Sequence, residues 1–193
     1  MSRHALEIRD ACPDDAEELL ALWTRVGARN DHASPRPMSE AEAALAQVAA
    51  DPDERFLVAV HECEIVAALH LRRAPISPLH NDMAIHTSYL LVVPEHRKHG
   101  VARALLEVAV GWAEEKDVAR VSAITSSSSR DTNRFLARLG LAPVATVRMA
   151  NTGLLRRKLT PEAIRPLDAR RNLGRVLAQR RSIQRRAQAA AGE

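Results

Sequence analysis

The sequence predicts a mixed α/β domain, and three observations carry that prediction. Short alternating or apolar runs recur between segments with helical periodicity, prolines and glycines punctuate the joints, and one long apolar run opens directly into an amphipathic helix. Leu6-Glu7-Ile8-Arg9 alternates as a first strand would. Pro13 with Asp14, Asp15, Glu17 and Glu18 marks a helix start, where proline is tolerated and carboxylates suit the dipole. Leu19, Leu22, Trp23 and Val26 follow on one helix face. Asn30 to Pro37 reads as a loop, and Ser39 with Glu42 as a capping box opening an alanine-rich helix to about Ala50. Residues 56–60 and 65–69 are expected strands joined by His61-Glu62-Cys63-Glu64, a hairpin-like connection. After a loop over Ala74 to Asn81, Ala84 to Val93 is apolar and β-branched enough for a strand buried on both faces.

Val101, Leu105, Val108 and Trp112 define a long amphipathic helix, with Arg103 and Glu107 paired on its outer side. Ala119 to Thr125 is the next strand, and Phe135 and Leu139 sit on a short helix closed by Gly140. Val144 to Met149 and Leu154 to Leu159, joined at Asn151-Thr152-Gly153, are expected as a final hairpin. The order is β-α-α-β-β-β-α-β-α-β-β, giving one domain over residues 1–160 and an extension over 161–193.

The 193 residues carry 28 Lys+Arg against 24 Asp+Glu, but the charge is unevenly placed. From Asn151 onward 11 basic residues face three acidic ones, whereas residues 1–150 hold 17 basic and 21 acidic. A mildly acidic body therefore precedes a basic tail. Two cysteines, Cys12 and Cys63, cannot build a disulfide framework or a four-ligand zinc site. The first residues lack the apolar run of a signal peptide and no stretch is long enough to span a bilayer, which predicts a cytoplasmic protein without membrane contact. His80, His86, His96 and His99 lack acidic or cysteine partners at metal spacing, so no metal is expected.

The joint at the end of the apolar strand carries the chemistry. Pro94-Glu95-His96 leads through Arg97-Lys98-His99-Gly100-Val101-Ala102 straight into the helix. A helix N-terminus leaves backbone N–H groups unpaired and partially positive, Gly100 allows close approach, and Arg97, Lys98 and Arg103 add positive charge. These features suit a phosphate. There is no Gly-Lys-Ser/Thr of a nucleotide-binding P-loop and no GxGxxG.

Residues 97–102 resemble the coenzyme A-binding motif of the GNAT N-acetyltransferase superfamily, Arg/Gln-x-x-Gly-x-Gly/Ala, and the element order is similar over roughly residues 5–160. The resemblance implies a mostly antiparallel central sheet with a splayed strand pair and helices on both faces. It implies that Arg97, Lys98, His99, Gly100, Val101, Ala102 and Arg103 hold the pyrophosphate of acetyl-CoA. It further implies that Leu91, Val92 and Val93 pair with the pantetheine arm, an N–H there polarising the thioester carbonyl. Many members have a Tyr acid on the helix after the fifth strand and an Asn seven residues before it; those positions fall on Leu136 and Ser129. A carboxylate base of other members falls near Ile124. Neither Leu136 nor Ile124 can move a proton, so the catalytic candidates become His86, Ser88 and Tyr89 on the central strand, with Ser126 to Ser129 and Asn133 beyond the fifth strand also open. Ser129 and Asn133 remain as cofactor contacts.

The expected activity is acetyl transfer from acetyl-CoA to a primary amine of unspecified kind, with a loop at Asn30 to Pro37 and the hairpin near Asn151 framing the acceptor. The alternative is a non-catalytic CoA-binding or interaction protein on the same fold. In the tail, Leu173, Val176, Leu177, Ile183 and Ala187 fall on one helical stripe interrupted by Arg180, which reads first as a solvated, partly frayed segment and next as one docked on its own domain or in a homodimer. Nucleic-acid or ribosome contact through its arginine pairs is less favoured, since no aromatics interleave for base stacking.

Overall fold

The computed structural model describes residues 6–26 and 37–160 and divides the chain into two compact units, Met1–Pro143 and Val144–Glu193. The basic tail and most of the loop before Pro37 lie outside the described residues. In the first unit the order is β1 (Glu7–Asp10), α1 (Ala16–Val26), α2 (Met38–Ala50), β2 (Glu54–His61), β3 (Glu64–Pro75), β4 (Met83–Val92), α3 (Val101–Glu115), β5 (Val121–Ala123) and α4 (Arg130–Arg138). One sheet of five strands runs β1-β2-β3-β4-β5, antiparallel through β4 and parallel between β4 and β5. This is the mixed, mostly antiparallel arrangement that the sequence predicts.

Side chains of neighbouring strand residues point to opposite faces, which assigns the helices to the two layers. Arg55 lies 5.9 Å from the ring centre of Trp112 in α3, while Phe56 stacks at 6.1 Å on Trp23 of α1. Helices α1 and α3 therefore cover opposite faces. Leu57, Leu69, Leu71, Ile85 and Leu105 form the fully buried centre. Leu136 brings α4 into the same core, and Gly140 closes that helix at φ 88°, a left-handed position that favours glycine.

The entry into α1 is fixed by Asp15. Its carboxylate takes two 2.7 Å hydrogen bonds from Arg9 and one of 2.8 Å from the Cys12 N–H, tying β1 to the 3-10 turn at Pro13–Asp15. The Arg9 hydrogen bonds hold the Asp15 pKa down at about 2, against the opposing effect of burial.

Two expected features differ. Helix α2 starts at Met38 with Pro37 at its N-cap, so Ser39 lies in the first turn and makes no capping bond. Proline, already set near helical φ, starts the helix one residue before the anticipated box. In the second unit, the expected hairpin is not formed. Residues 144–150 have no regular structure, and Thr152–Leu159 is a helix, α5. Asn151, read as a turn residue, instead accepts the N–H groups of Gly153 (2.9 Å) and Leu154 (3.3 Å) as an N-cap. Arg156, Arg157 and Lys158 then sit in the last turn, where positive charge favours a helix.

Candidate active site

Strand β4 has one residue more than its neighbour can pair. Ala68 faces Leu91 and His70 faces Ser88, so Tyr89 and Leu90 together oppose Leu69 in a β-bulge. Tyr89 bears the turn of the chain at φ 54°, a strained value for an aromatic residue. The bulge puts two successive side chains on one face. Ser88 Oγ lies 3.0 Å from His70 Nδ1, His70 packs on Phe56, Phe56 on Trp23, and Trp23 on Tyr89 at 5.4 Å. Ser88 and Tyr89 are thereby both held on the α1 side.

The sheet forks at the same place. β5 pairs only with Ile85, His86 and Thr87, and the last bond runs from the Ile124 N–H to the Thr87 carbonyl at 2.8 Å. From Ser88 to Val92 the far edge of β4 has no strand beside it among the described residues. Val93 is committed on both sides, its N–H to Val66 and its carbonyl to the His96 N–H. Alternation along the strand then turns Val92 toward the gap and Leu91 toward β3. Of the three residues expected along a ligand arm, Val92 offers backbone groups to the opening, and the next to do so is Leu90. The Val92 carbonyl is met by Arg97 Nε at 3.0 Å.

Beyond the 3-10 turn Pro94–His96 the loop alternates hand. Lys98 is at φ 64° and Gly100 at φ 87°, with His99 between them at negative φ. Such alternation aims consecutive N–H groups into one concavity. The first intrahelical bond of α3 is Ala104 N–H to Gly100 O, 2.9 Å. The N–H groups of Lys98, His99, Gly100, Val101, Ala102 and Arg103 have no partner among the described residues. A Cβ placed on Gly100 would meet no atom within 4 Å, so the cradle is open there. Arg103 is drawn away to Glu107 at 3.1 Å, whereas Lys98 has no ion-pair partner among the described residues.

The acid–base candidates occupy distinct environments. His86 uses both ring nitrogens: Nδ1 accepts from Ser122 Oγ at 2.8 Å and Nε2 donates to the Ala74 carbonyl at 3.3 Å. Tyr89 is half-exposed, with no hydrogen-bond partner for its hydroxyl among the described residues. Ser129 donates to Thr132 at 2.7 Å, and Asn133 Nδ2 donates to the carbonyls of Ser126 and Ser129, so both hold the loop that starts α4. Leu136 is buried in the core, away from solvent. Four residues at the site have no motif to announce them: Trp23, Phe56, Glu54 and His70. The sequence signal near them is polar residues two apart within apolar strands, His70 before Arg72 and His86 before Ser88. Among the described residues no group of three or more His, Cys, Asp or Glu could hold a metal ion, and no helix is long and apolar enough to cross a membrane.

Comparison with known families places residues 17–141 in the acetyltransferase (GNAT) family. The chain belongs to that family. The GNAT fold is also seen in solved structures. A transcriptional regulator from Bacillus halodurans C-125 superposes with a TM-score of 0.66 at 22% identity, covering 76% of this chain and 100% of that one. A ribosomal-protein-alanine N-acetyltransferase from Brucella melitensis biovar Abortus 2308 gives 0.61 at 20% identity, covering 76% and 99%. An aminoglycoside N-acetyltransferase in complex with CoA gives 0.63 at 13% identity, covering 79% and 99%. A search of curated protein sequences finds no match.

Proposed function

We propose that this GNAT-family chain transfers an acetyl group from acetyl-CoA to a primary amine. The observation that carries the reading is the set of six N–H groups from Lys98 to Arg103 without partners among the described residues, wound around an open glycine at the end of a splayed strand. That arrangement fits a pyrophosphate: the helix end and the left-handed turns supply donors, and Lys98 supplies a positive charge with no ion-pair partner among the described residues. The gap-facing groups of Leu90 and Val92 fit the amides of the pantetheine arm, and an N–H on that edge polarises the thioester carbonyl as charge develops on its oxygen. Arg97 leaves the Val92 carbonyl as the arm arrives and turns to the phosphates.

The acceptor side is the α1 face. Three of the five aromatic residues of the chain, Trp23, Phe56 and Tyr89, gather beside the fork, and Glu54 lies next to them. Aromatic faces and a carboxylate together favour a cationic amine. The related folds include enzymes named for an aminoglycoside and for a ribosomal-protein alanine, and these two acceptor classes head the panel to be tried.

The buried Leu136 and exposed Ile124 favour a second reading, a CoA-binding protein without turnover. Calorimetric titration with acetyl-CoA and a thiol-release assay with an aminoglycoside, a polyamine and an alanine-starting peptide separate the two. Binding with turnover on any amine supports acetyl transfer, binding without turnover supports the second reading, and absence of binding defeats both.

A further inference from the structure

We propose that His70, acting through the Ser88 hydroxyl, takes up the proton released by the attacking amine, and that Glu54 is a positioning residue that holds the imidazole in the tautomer this requires. The proposal rests on the acetyl-transfer reading and gives that reaction a proton path in the sheet.

Three strands build the path. The register places Phe56 opposite His70 and His70 opposite Ser88, so β2, β3 and β4 present Glu54, His70 and Ser88 on the same face. Glu54 Oε2 lies 3.7 Å from His70 Nε2, and His70 Nδ1 lies 3.0 Å from Ser88 Oγ. A carboxylate facing Nε2 keeps the proton there, which leaves the Nδ1 lone pair to accept from Ser88. Glu54 is itself fixed by Arg72 Nε at 3.2 Å. All three members are half-buried, so they are held in place yet within reach of a substrate.

Ser88 stands where the chemistry must occur. It is the first residue of β4 after the last pair with β5, and the bulge at Tyr89 begins immediately beyond it. His86, two residues earlier on the same face, has both nitrogens engaged with Ser122 and Ala74 and is not free to accept a proton. The charged groups acting on His70 are Glu54 on β2 and Arg72 on its own strand, while Phe56, backed by Trp23 of α1, closes it on the helix side. Burial pushes the His70 pKa below the usual histidine value, Glu54 offsets this in part, and Arg72 adds to it. The ring is therefore neutral at physiological pH and able to accept.

The step balances as follows. The amine nitrogen forms a bond to the acetyl carbon and the carbon–sulfur bond breaks, its electron pair leaving on the thiolate. The proton that nitrogen loses passes to Ser88 Oγ as the hydroxyl proton passes to His70 Nδ1, giving an imidazolium beside Glu54. The thiolate takes a proton from water and His70 returns its own to solvent.

His70→Gln and Ser88→Ala are each compared with wild type for acetyl-CoA affinity by calorimetry, for thermal melting, and for thiol release with the same amine panel across pH 5 to 9. The expected result is unchanged acetyl-CoA affinity with kcat lowered about a hundredfold at neutral pH. In wild type, kcat/KM should fall as pH drops below 6.5 through the His70 pKa. In His70→Gln that acidic limb should disappear and the deficit should shrink as pH rises toward the amine's own pKa. Glu54→Gln should shift the limb further toward acid. Should His70→Gln not fold, Ser88→Ala removes a single atom and carries the comparison. Wild-type pH profiles and rates within twofold in either variant would overturn the relay while leaving acetyl transfer intact. Absence of turnover in wild type itself would overturn both.

Discussion

Gly100 offers a test in which strain and ligand binding can be separated. Gly100 and Gly140 both sit in the left-handed region, at φ 87° and 88°, and a Cβ on either would meet nothing within 4 Å. An L-residue in that conformation costs about 1 to 2 kcal/mol, so Gly100→Ala and Gly140→Ala should destabilise the fold by similar amounts. Only the first adds an atom where the pyrophosphate is proposed to rest. Gly100→Asp adds a charge as well. Two like charges 4 Å apart repel by about 1 kcal/mol in water and by about 4 at an effective dielectric of 20. The loop is exposed, so the water end applies and about 1 to 2 kcal/mol is expected, roughly a 5- to 30-fold loss of acetyl-CoA affinity. Chemical denaturation of all three variants measures the strain, and calorimetric titration with acetyl-CoA measures the cradle. Gly140→Ala should bind as wild type does. An affinity for Gly100→Asp within twofold of wild type, with its stability loss equal to that of Gly140→Ala, would refute the placement.

Three further outcomes follow from the scaffold. Asp15 has its pKa lowered in the fold, so its contribution is complete above the ordinary carboxylate range and lost as pH falls toward about 2. Asp15→Asn should therefore lower stability at pH 7 by about 1 to 2 kcal/mol, once the partly exposed Arg9 is discounted, and the gap should narrow in melts at pH 3. The β2–β3 hairpin turns through Glu62 at φ 53° and Cys63 at φ 65°, both left-handed, where Asn-Gly fits better. Replacing the pair by Asn-Gly should raise stability by about 1 kcal/mol in denaturant titration, and a loss would mean that these side chains make contacts the backbone conformation does not show. Leu136→Tyr introduces the phenol that the family resemblance would put at this position, which is 5% exposed. Overpacking should cost about 1 to 3 kcal/mol without any gain in thiol release; a tenfold gain with an unchanged melt would show that α4 presents this position to the thioester.

The order of the elements through α4 was legible because each had a local signal. Trp112 and Leu105 recur at helical spacing, the run from Ala84 to Val93 has few polar interruptions, and Gly140 sits where a helix must end. The strand–loop–helix joint proposed to hold an anion was legible for the same reason: Gly100, Arg97, Lys98 and Arg103 lie within seven consecutive residues. Asn151-Thr152-Gly153 was misread because the same residues serve a hairpin turn or an N-cap, and what separates the two is whether a partner strand exists. The Glu54, His70 and Ser88 alignment could not be read at all. It depends on the register of three strands, and a bulge changes that register without any mark in the sequence of β4.

That single extra residue in β4 also explains how the proposed proton path and the proposed ligand edge could coexist. Without the bulge, strict alternation would put Tyr89 on the face opposite Ser88, against α3 rather than Trp23. The gap edge would then shift by one residue, exchanging the roles of Leu91 and Val92. With it, Ser88 stays paired to His70 through an unbroken antiparallel ladder while the backbone beyond is re-aimed into the fork. The proposed proton-handling groups are thus anchored in the paired part of the sheet, and the gap-facing backbone of Leu90 and Val92 is left for the proposed ligand. A Leu at position 136 is consistent with this division. If the sheet side supplies the proposed proton acceptor at His70, and with the Tyr89 phenol unpartnered among the described residues, α4 can turn its corresponding side chain inward and serve the core.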